Sequence, residues 1–220
     1  MLTPSKNVRV KICGLSTPET VTAAVNAGAD YLGFVFFAKS PRNVAPERAT
    51  TLAKLAPASV LKVALTVDAD NAALDKIMAT LNPDILQLHG CETPERLIEL
   101  KRRYGITLMK AIAVAGPEDP IKSTIYRDSA DLLLFDAKPP KSMENALPGG
   151  NGLVFDWALL AGQKPETPWM LSGGLTAETV REAIRITGAE AVDVSSGVED
   201  APGLKNPELI RAFIRAAKLD

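Results

Sequence analysis

Histidine is almost missing from this chain: His89 is the single one among 220 residues. One imidazole makes a poor basis for a multi-histidine metal site. Cysteine is nearly as scarce, with only Cys13 and Cys91. Two thiols at this length do not form a disulfide framework, and they fit a cytoplasmic setting. Charge of one sign is missing as well. The chain has 25 Lys and Arg against 26 Asp and Glu, a net charge of −1, and its pI is near 6.0. That leaves no electrostatic footprint for nucleic acid. No run of like charge marks a tail or a membrane-surface helix. Apolar stretches are of strand length, far short of a membrane span. The opening MLTPSKN has no apolar core, so no secretory signal is expected. No G-x-G-x-x-G follows the first apolar run, which argues against an open dinucleotide-binding sheet.

What is present is alternation. Apolar runs at 8–14, 31–37, 61–67, 85–90, 107–114, 132–137, 169–174 and 191–197 read as eight strands. Amphipathic stretches separate them. Thr17-Pro18, Thr93-Pro94 and Asn206-Pro207 each look like a helix cap followed by proline. Gly28, Gly105 and Gly188 fall where helices should stop. The 176–188 stretch carries an apolar face. Eight strand–helix units predict an α/β chain folded as one (β/α)8 barrel over 1–220. The longest irregular stretch, 138–152, follows the sixth strand and should lie over the C-terminal face as an active-site loop.

In such a barrel the strand ends carry function. Strand one ends in Cys13-Gly14, strand four in Gln87-Leu88-His89-Gly90, and strand six in Asp136. Strands seven and eight end in Ser172-Gly173-Gly174 and Ser195-Ser196-Gly197. Glycine turns after strands seven and eight are where barrels often bind phosphate. Alternation along VRVKICG turns Arg9, Lys11 and Cys13 inward and Val8, Val10 and Ile12 outward. Strand eight lies beside strand one in a closed barrel. Asp193 is therefore expected to pair with Lys11 or Arg9, because buried charges need partners. Cations beside Cys13, and a helix start near it, should lower its thiol pKa. Gly14 would free the turn so that substrate can lie against the sulfur. Asp136 would face the same cavity, and two titratable groups there make an acid–base pair. Each has a plainer alternative: Cys13 as buried filler, Asp136 as a cap, Arg42 as a solvated arginine and His89 as a structural group. Cys91 is read as structural.

Taken together the motifs resemble phosphoribosylanthranilate isomerases. VKICGL, GADYLGFVFFAKSPRNV, LQLHG, LLLFDA, LPGGNGLVFDW, LSGGLTAETV and VDVSSGVEDAPGLK carry the resemblance over nearly the whole chain. It implies an Amadori rearrangement of N-(5-phosphoribosyl)anthranilate in tryptophan biosynthesis, without metal or cofactor. It implies Cys13 as general base, Asp136 as general acid, and Arg42 on the anthranilate carboxylate. Gln87 and His89 would contact substrate. Gly173, Gly174, Ser195, Ser196 and Gly197 would hold the phosphate. The partner implied is a small phosphorylated substrate, with neither nucleic acid nor membrane, and the chain would act as a monomer or homodimer. The competing readings are a histidine-pathway barrel isomerase, indole-glycerol-phosphate synthase, and a non-catalytic phosphate- or flavin-binding barrel. The first would place an aspartate where this chain has Cys13. The second would need catalytic lysines nearer the strand ends than Lys11 and Lys110.

Overall fold

The computed structural model describes residues 8–138, 147, 149–162 and 165–218. Eight parallel strands close into a barrel in sequence order: β1 (Arg9–Cys13), β2 (Tyr31–Phe36), β3 (Leu61–Thr66), β4 (Ile85–Leu88), β5 (Thr107–Val114), β6 (Leu132–Ala137), β7 (Trp169–Leu171) and β8 (Ala191–Val194). β8 pairs with β1, with Lys11 opposite Asp193. Around the barrel lie α1 (Pro18–Ala27), α2 (Pro46–Ala53), α3 (Asn71–Leu81), α4 (Pro94–Tyr104), α5 (Glu118–Lys122), α6 (Val180–Thr187) and α7 (Pro207–Lys218). The expected caps form. Thr17 accepts the Thr20 N–H and Thr93 the Arg96 N–H, each followed by proline at the helix start. Asn206 accepts the Glu208 N–H at 2.7 Å. Among the described residues no helix is long and apolar enough to cross a membrane.

Two cores result from strands that are buried on both faces. Outward residues such as Val10, Ile12, Leu32, Phe34, Leu86 and Val192 pack beneath the helices. Inward residues Tyr31, Val63, Ile85, Met109, Leu134 and Met170 fill the lower barrel. Cys13, Val35 and Leu65 form a small apolar group of their own, with Phe37 and Val67 packed against it. Lys11, wholly buried, donates from Nζ to Asp193 Oδ1 at 2.8 Å. The expected inward pair therefore forms with Lys11. Arg9 departs from expectation. It is exposed, and its guanidinium lies 5.7 Å from the Tyr31 ring centroid. The interior has one buried carboxylate at this level, and Lys11 takes it; Arg9, a turn of the alternation lower, reaches water instead.

Regular alternation also breaks in three places. β4, β7 and β8 stop at Leu88, Leu171 and Val194, short of the polar residues expected to end them. Gly173 and Gly174 have φ of 91° and 61°, left-handed values that cannot continue a ladder. Between β6 and β7 no α-helix appears among the described residues; a 3-10 turn at Trp157–Leu159 takes its place, capped by Asp156. After β8 a 3-10 turn at Ser196–Val198 leads into a small antiparallel hairpin, β9 (Glu199–Ala201) and β10 (Leu204–Lys205). That hairpin sets Glu199 opposite Lys205.

Candidate active site

A cavity opens at the C-terminal mouth of the barrel. Cys13, Arg42, His89, Asp136 and the turns after β7 and β8 line it. Nine of the ten residues singled out from sequence for the site therefore sit on the wall, with Gly173, Gly174, Ser195, Ser196 and Gly197 among them, and His89 beside Asp136. Gln87 is not on that wall.

Cys13 closes the first strand, nearly buried. Burial pushes its thiol pKa up; Lys11 pulls it back, Asp193 pushes it further, and Lys205 pulls it down, with a net rise. The expected lowered thiol is therefore corrected: two nearby cations offset burial without overcoming it, because Asp193 neutralises much of Lys11. Lys11 itself is penalised by burial, yet Asp193 and the Cys13 sulfur hold its pKa above the ordinary amine value. Asp193 also accepts from Ser172 Oγ at 3.3 Å, which ties β7 to β8 beneath the cavity. Gly14 has φ of 81°, and a Cβ there would lie 2.7 Å from Arg42 Cδ. The glycine after the cysteine thus makes room for the Arg42 stem, where the sequence reading gave the space to substrate.

Asp136 lies across the cavity on β6 and is also buried. Its Oδ1 accepts the Ala137 N–H at 2.9 Å. Its Oδ2 lies 3.4 Å from His89 Nε2. The Gln87 amide nitrogen sits 3.1 Å from His89 Nδ1. With the amide so oriented, Nδ1 accepts and the ring proton sits on Nε2, facing Asp136. Gln87 is wholly buried. It orients His89 from behind, off the cavity wall. Gly149, in the loop after β6, closes over this pair: a Cβ would lie 2.6 Å from Asp136 Oδ2 and 2.7 Å from His89 Cε1. Part of the 138–152 stretch, 139–146 and 148, falls outside the described residues; of the rest, Leu147 and 149–152 line the cavity.

Arg42 is buried, not a solvated surface residue. Nε and Nη2 donate to the two carboxylate oxygens of Glu199, both at 2.8 Å. Nη2 donates again to the Gly150 carbonyl at 3.0 Å. At the opposite end, the N–H groups of Gly173 and Gly174 have no hydrogen-bond partner among the described residues. Such free N–H groups are what an anion would take. Ser195 Oγ is already engaged, donating to the Cys13 carbonyl at 3.2 Å and accepting from Lys205 Nζ at 3.3 Å.

Glu199, Lys205 and Gly149 were not singled out from the sequence. Glu199 and Lys205 depend on a hairpin too short to show an alternating pattern. Gly149 matters through a close approach that only the fold creates. The one available signal was that VEDAPGLK follows a phosphate-type turn directly.

A thiol and a carboxyl sharing one cavity suit proton transfer at two separate substrate atoms. On a (β/α)8 barrel, beside a buried arginine and turn amides with no partner among the described residues, that pair fits an enzyme that moves protons within a small anionic substrate. Comparison with known proteins narrows this. The family described as N-(5'phosphoribosyl)anthranilate (PRA) isomerase matches residues 10–216. N-(5'-phosphoribosyl)anthranilate isomerase of Parvibaculum lavamentivorans is 74% identical over 212 residues, covering 96% of this chain and 99% of that protein. The phosphoribosyl anthranilate isomerase structure from Thermotoga maritima superposes with a TM-score of 0.85 at 36% identity, covering 96% of this chain and 98% of that one. A phosphoribosyl anthranilate isomerase solved in complex with reduced 1-(o-carboxyphenylamino)-1-deoxyribulose 5-phosphate superposes at 0.79, with 33% identity and the same coverage. The chain belongs to the N-(5'-phosphoribosyl)anthranilate isomerase family.

Proposed function

We propose that this chain, acting as one catalytic unit, converts N-(5-phosphoribosyl)anthranilate to 1-(2-carboxyphenylamino)-1-deoxyribulose 5-phosphate in tryptophan biosynthesis. The observation that carries this reading is Cys13 and Asp136 on one cavity wall in a chain of this family. Asp136 gives a proton to the furanose ring oxygen, the ring C–O bond breaks, and an iminium forms at carbon 1. Cys13 takes the proton from carbon 2, and the electron pair neutralises the iminium to an enolamine. The enolamine then moves its hydroxyl proton to carbon 1 and becomes the ketone. Each positioned acid or base typically supplies ~10²–10⁴-fold. His89 holds the acid in place from Nε2, and Gln87 fixes the tautomer. Arg42 takes the anthranilate carboxylate. The turn amides at Gly173 and Gly174, with Ser196 and Gly197 beside them, take the phosphate. These two charged ends provide remote binding energy that orients the sugar between base and acid.

The test is direct. Phosphoribosylanthranilate generated in situ should lose its fluorescence when the purified protein is added. Absence of turnover in that assay overturns the reading.

A further inference from the structure

Arg42 is held more firmly than substrate binding alone requires. A guanidinium has five N–H groups. Three are used inside the protein: Nε–H and one Nη2–H on Glu199, and the second Nη2–H on Gly150. The two on Nη1 have no partner among the described residues, and Arg42 lines the cavity. Glu199 is itself held. Its Oε1 also accepts from Lys205 Nζ, and Lys205 donates on to the Ser195 carbonyl at 3.1 Å. Both partners are almost wholly buried.

We infer that Glu199, backed by Lys205, is a positioning residue that fixes Arg42 so that only its Nη1 end meets the ring carboxylate of the substrate. This rests on the reading of Arg42 given above. The usual two-nitrogen fork on a carboxylate is closed here, because both hydrogens of Nη2 are already committed. Charge supports the same assignment. Arg42 alone with Glu199 would be a neutral pair. With Lys205 the group holds two cations against one carboxylate, leaving one positive charge for an anion to cancel. Burial works against the Glu199 carboxylate, but Arg42 and Lys205 keep its pKa below the usual carboxylate range, so it stays ionised. Through Gly150 the same guanidinium pins the end of the active-site loop. Glu199 thereby couples carboxylate recognition to the placement of that loop, without touching substrate.

The experiment compares two substrates, phosphoribosylanthranilate and its counterpart built on aniline, which lacks the ring carboxylate. Glu199→Gln, Arg42→Ala and the double variant are measured on both. Glu199→Gln should raise KM for the anthranilate substrate on the order of tenfold, the scale of a lost charge-assisted hydrogen bond. It should change kcat far less, and it should leave KM for the aniline substrate unchanged. The double variant should be no worse than Arg42→Ala. Should Glu199→Gln fail to fold, Glu199→Asp keeps the charge but withdraws the fork, and the same split is expected. Equal KM losses on both substrates, or additive losses in the double variant, overturn the inference. An Arg42→Ala effect with no Glu199 effect overturns it while sparing the Arg42 reading. An unchanged KM in Arg42→Ala removes both.

Discussion

The two sides of the cavity are built differently. On the base side, Cys13 stands above Lys11 and Asp193, and Ser195 and Lys205 continue the polar chain to Glu199 and Arg42. On the acid side, Asp136 has its own neighbouring N–H, one imidazole at 3.4 Å and a glycine pressed against it. The first side is a buried lattice of charges spanning β1, β8 and the β9–β10 hairpin. The second is a short relay of Gln87, His89 and Asp136 at the ends of β4 and β6, covered by a loop. A thiol needs opposing fields to remain usable as a base in an apolar pocket. A carboxyl that must deliver a proton gains more from a close cover that excludes water. The contrast teaches that the charges of this barrel are concentrated around Cys13, the proposed base, and its close packing around Asp136, the proposed acid.

The contrast can be broken at several points. Removing either reacting group should have the largest effect: Cys13→Ser and Asp136→Asn should each lower kcat by ~10²–10⁴-fold. Near-normal kcat in Cys13→Ser would remove it as the base. Next, Lys11→Met should cost about 3–5 kcal/mol in urea unfolding, because it strands buried Asp193. Gln87→Leu should cost about 1 kcal/mol, one neutral hydrogen bond. Equal losses would erase the difference between the two sides. Gly149→Ala should push the loop off Asp136 and His89 and reduce kcat about tenfold, while thermal stability stays near that of the parent. A kcat equal to the parent's would show that the cover does not matter to the acid.

The pH dependence is a gentler probe of the base side. The proposed proton transfer needs the thiolate, and burial raises the Cys13 pKa. The Cys13-dependent limb of kcat/KM should therefore climb with pH on the alkaline side of neutrality. A limb complete below neutrality would contradict the raised thiol. The sign for folding is opposite: a raised folded-state pKa stabilises the protein below the thiol's unfolded pKa, and that stability is lost as pH rises through the folded value. The smallest effect belongs to the exposed Glu182–Arg185 pair on α6. Glu182→Gln should leave Tm unchanged in a thermal scan.

The barrel was legible because its signals are local and repeated. Eight apolar runs, proline-marked helix starts and glycine stops each recur at the right spacing, and the fold follows from their order. Facing was legible for Lys11, Cys13 and Asp193, since alternation is a strict geometric rule. For Arg9 alternation gave the facing, toward inward Tyr31, but not how near the barrel's open end it lies. The thiol's pKa was misread because counting nearby cations ignores the burial that comes with them. Gln87 was placed against substrate on its position in LQLHG, though its short strand sets it one layer below the cavity. The Glu199–Lys205 hairpin, a strand pair of three and two residues, was marked only by its place directly after a phosphate-type turn.

The Lys11–Asp193 pair also bears on how the chain is made. Its partners are 182 residues apart in sequence. A ribosome releases Lys11 long before Asp193. Until the last barrel strand emerges, no native arrangement can bury that ammonium with its counter-charge. Native burial of the first strand's ammonium therefore waits on the arrival of a single carboxylate from the last.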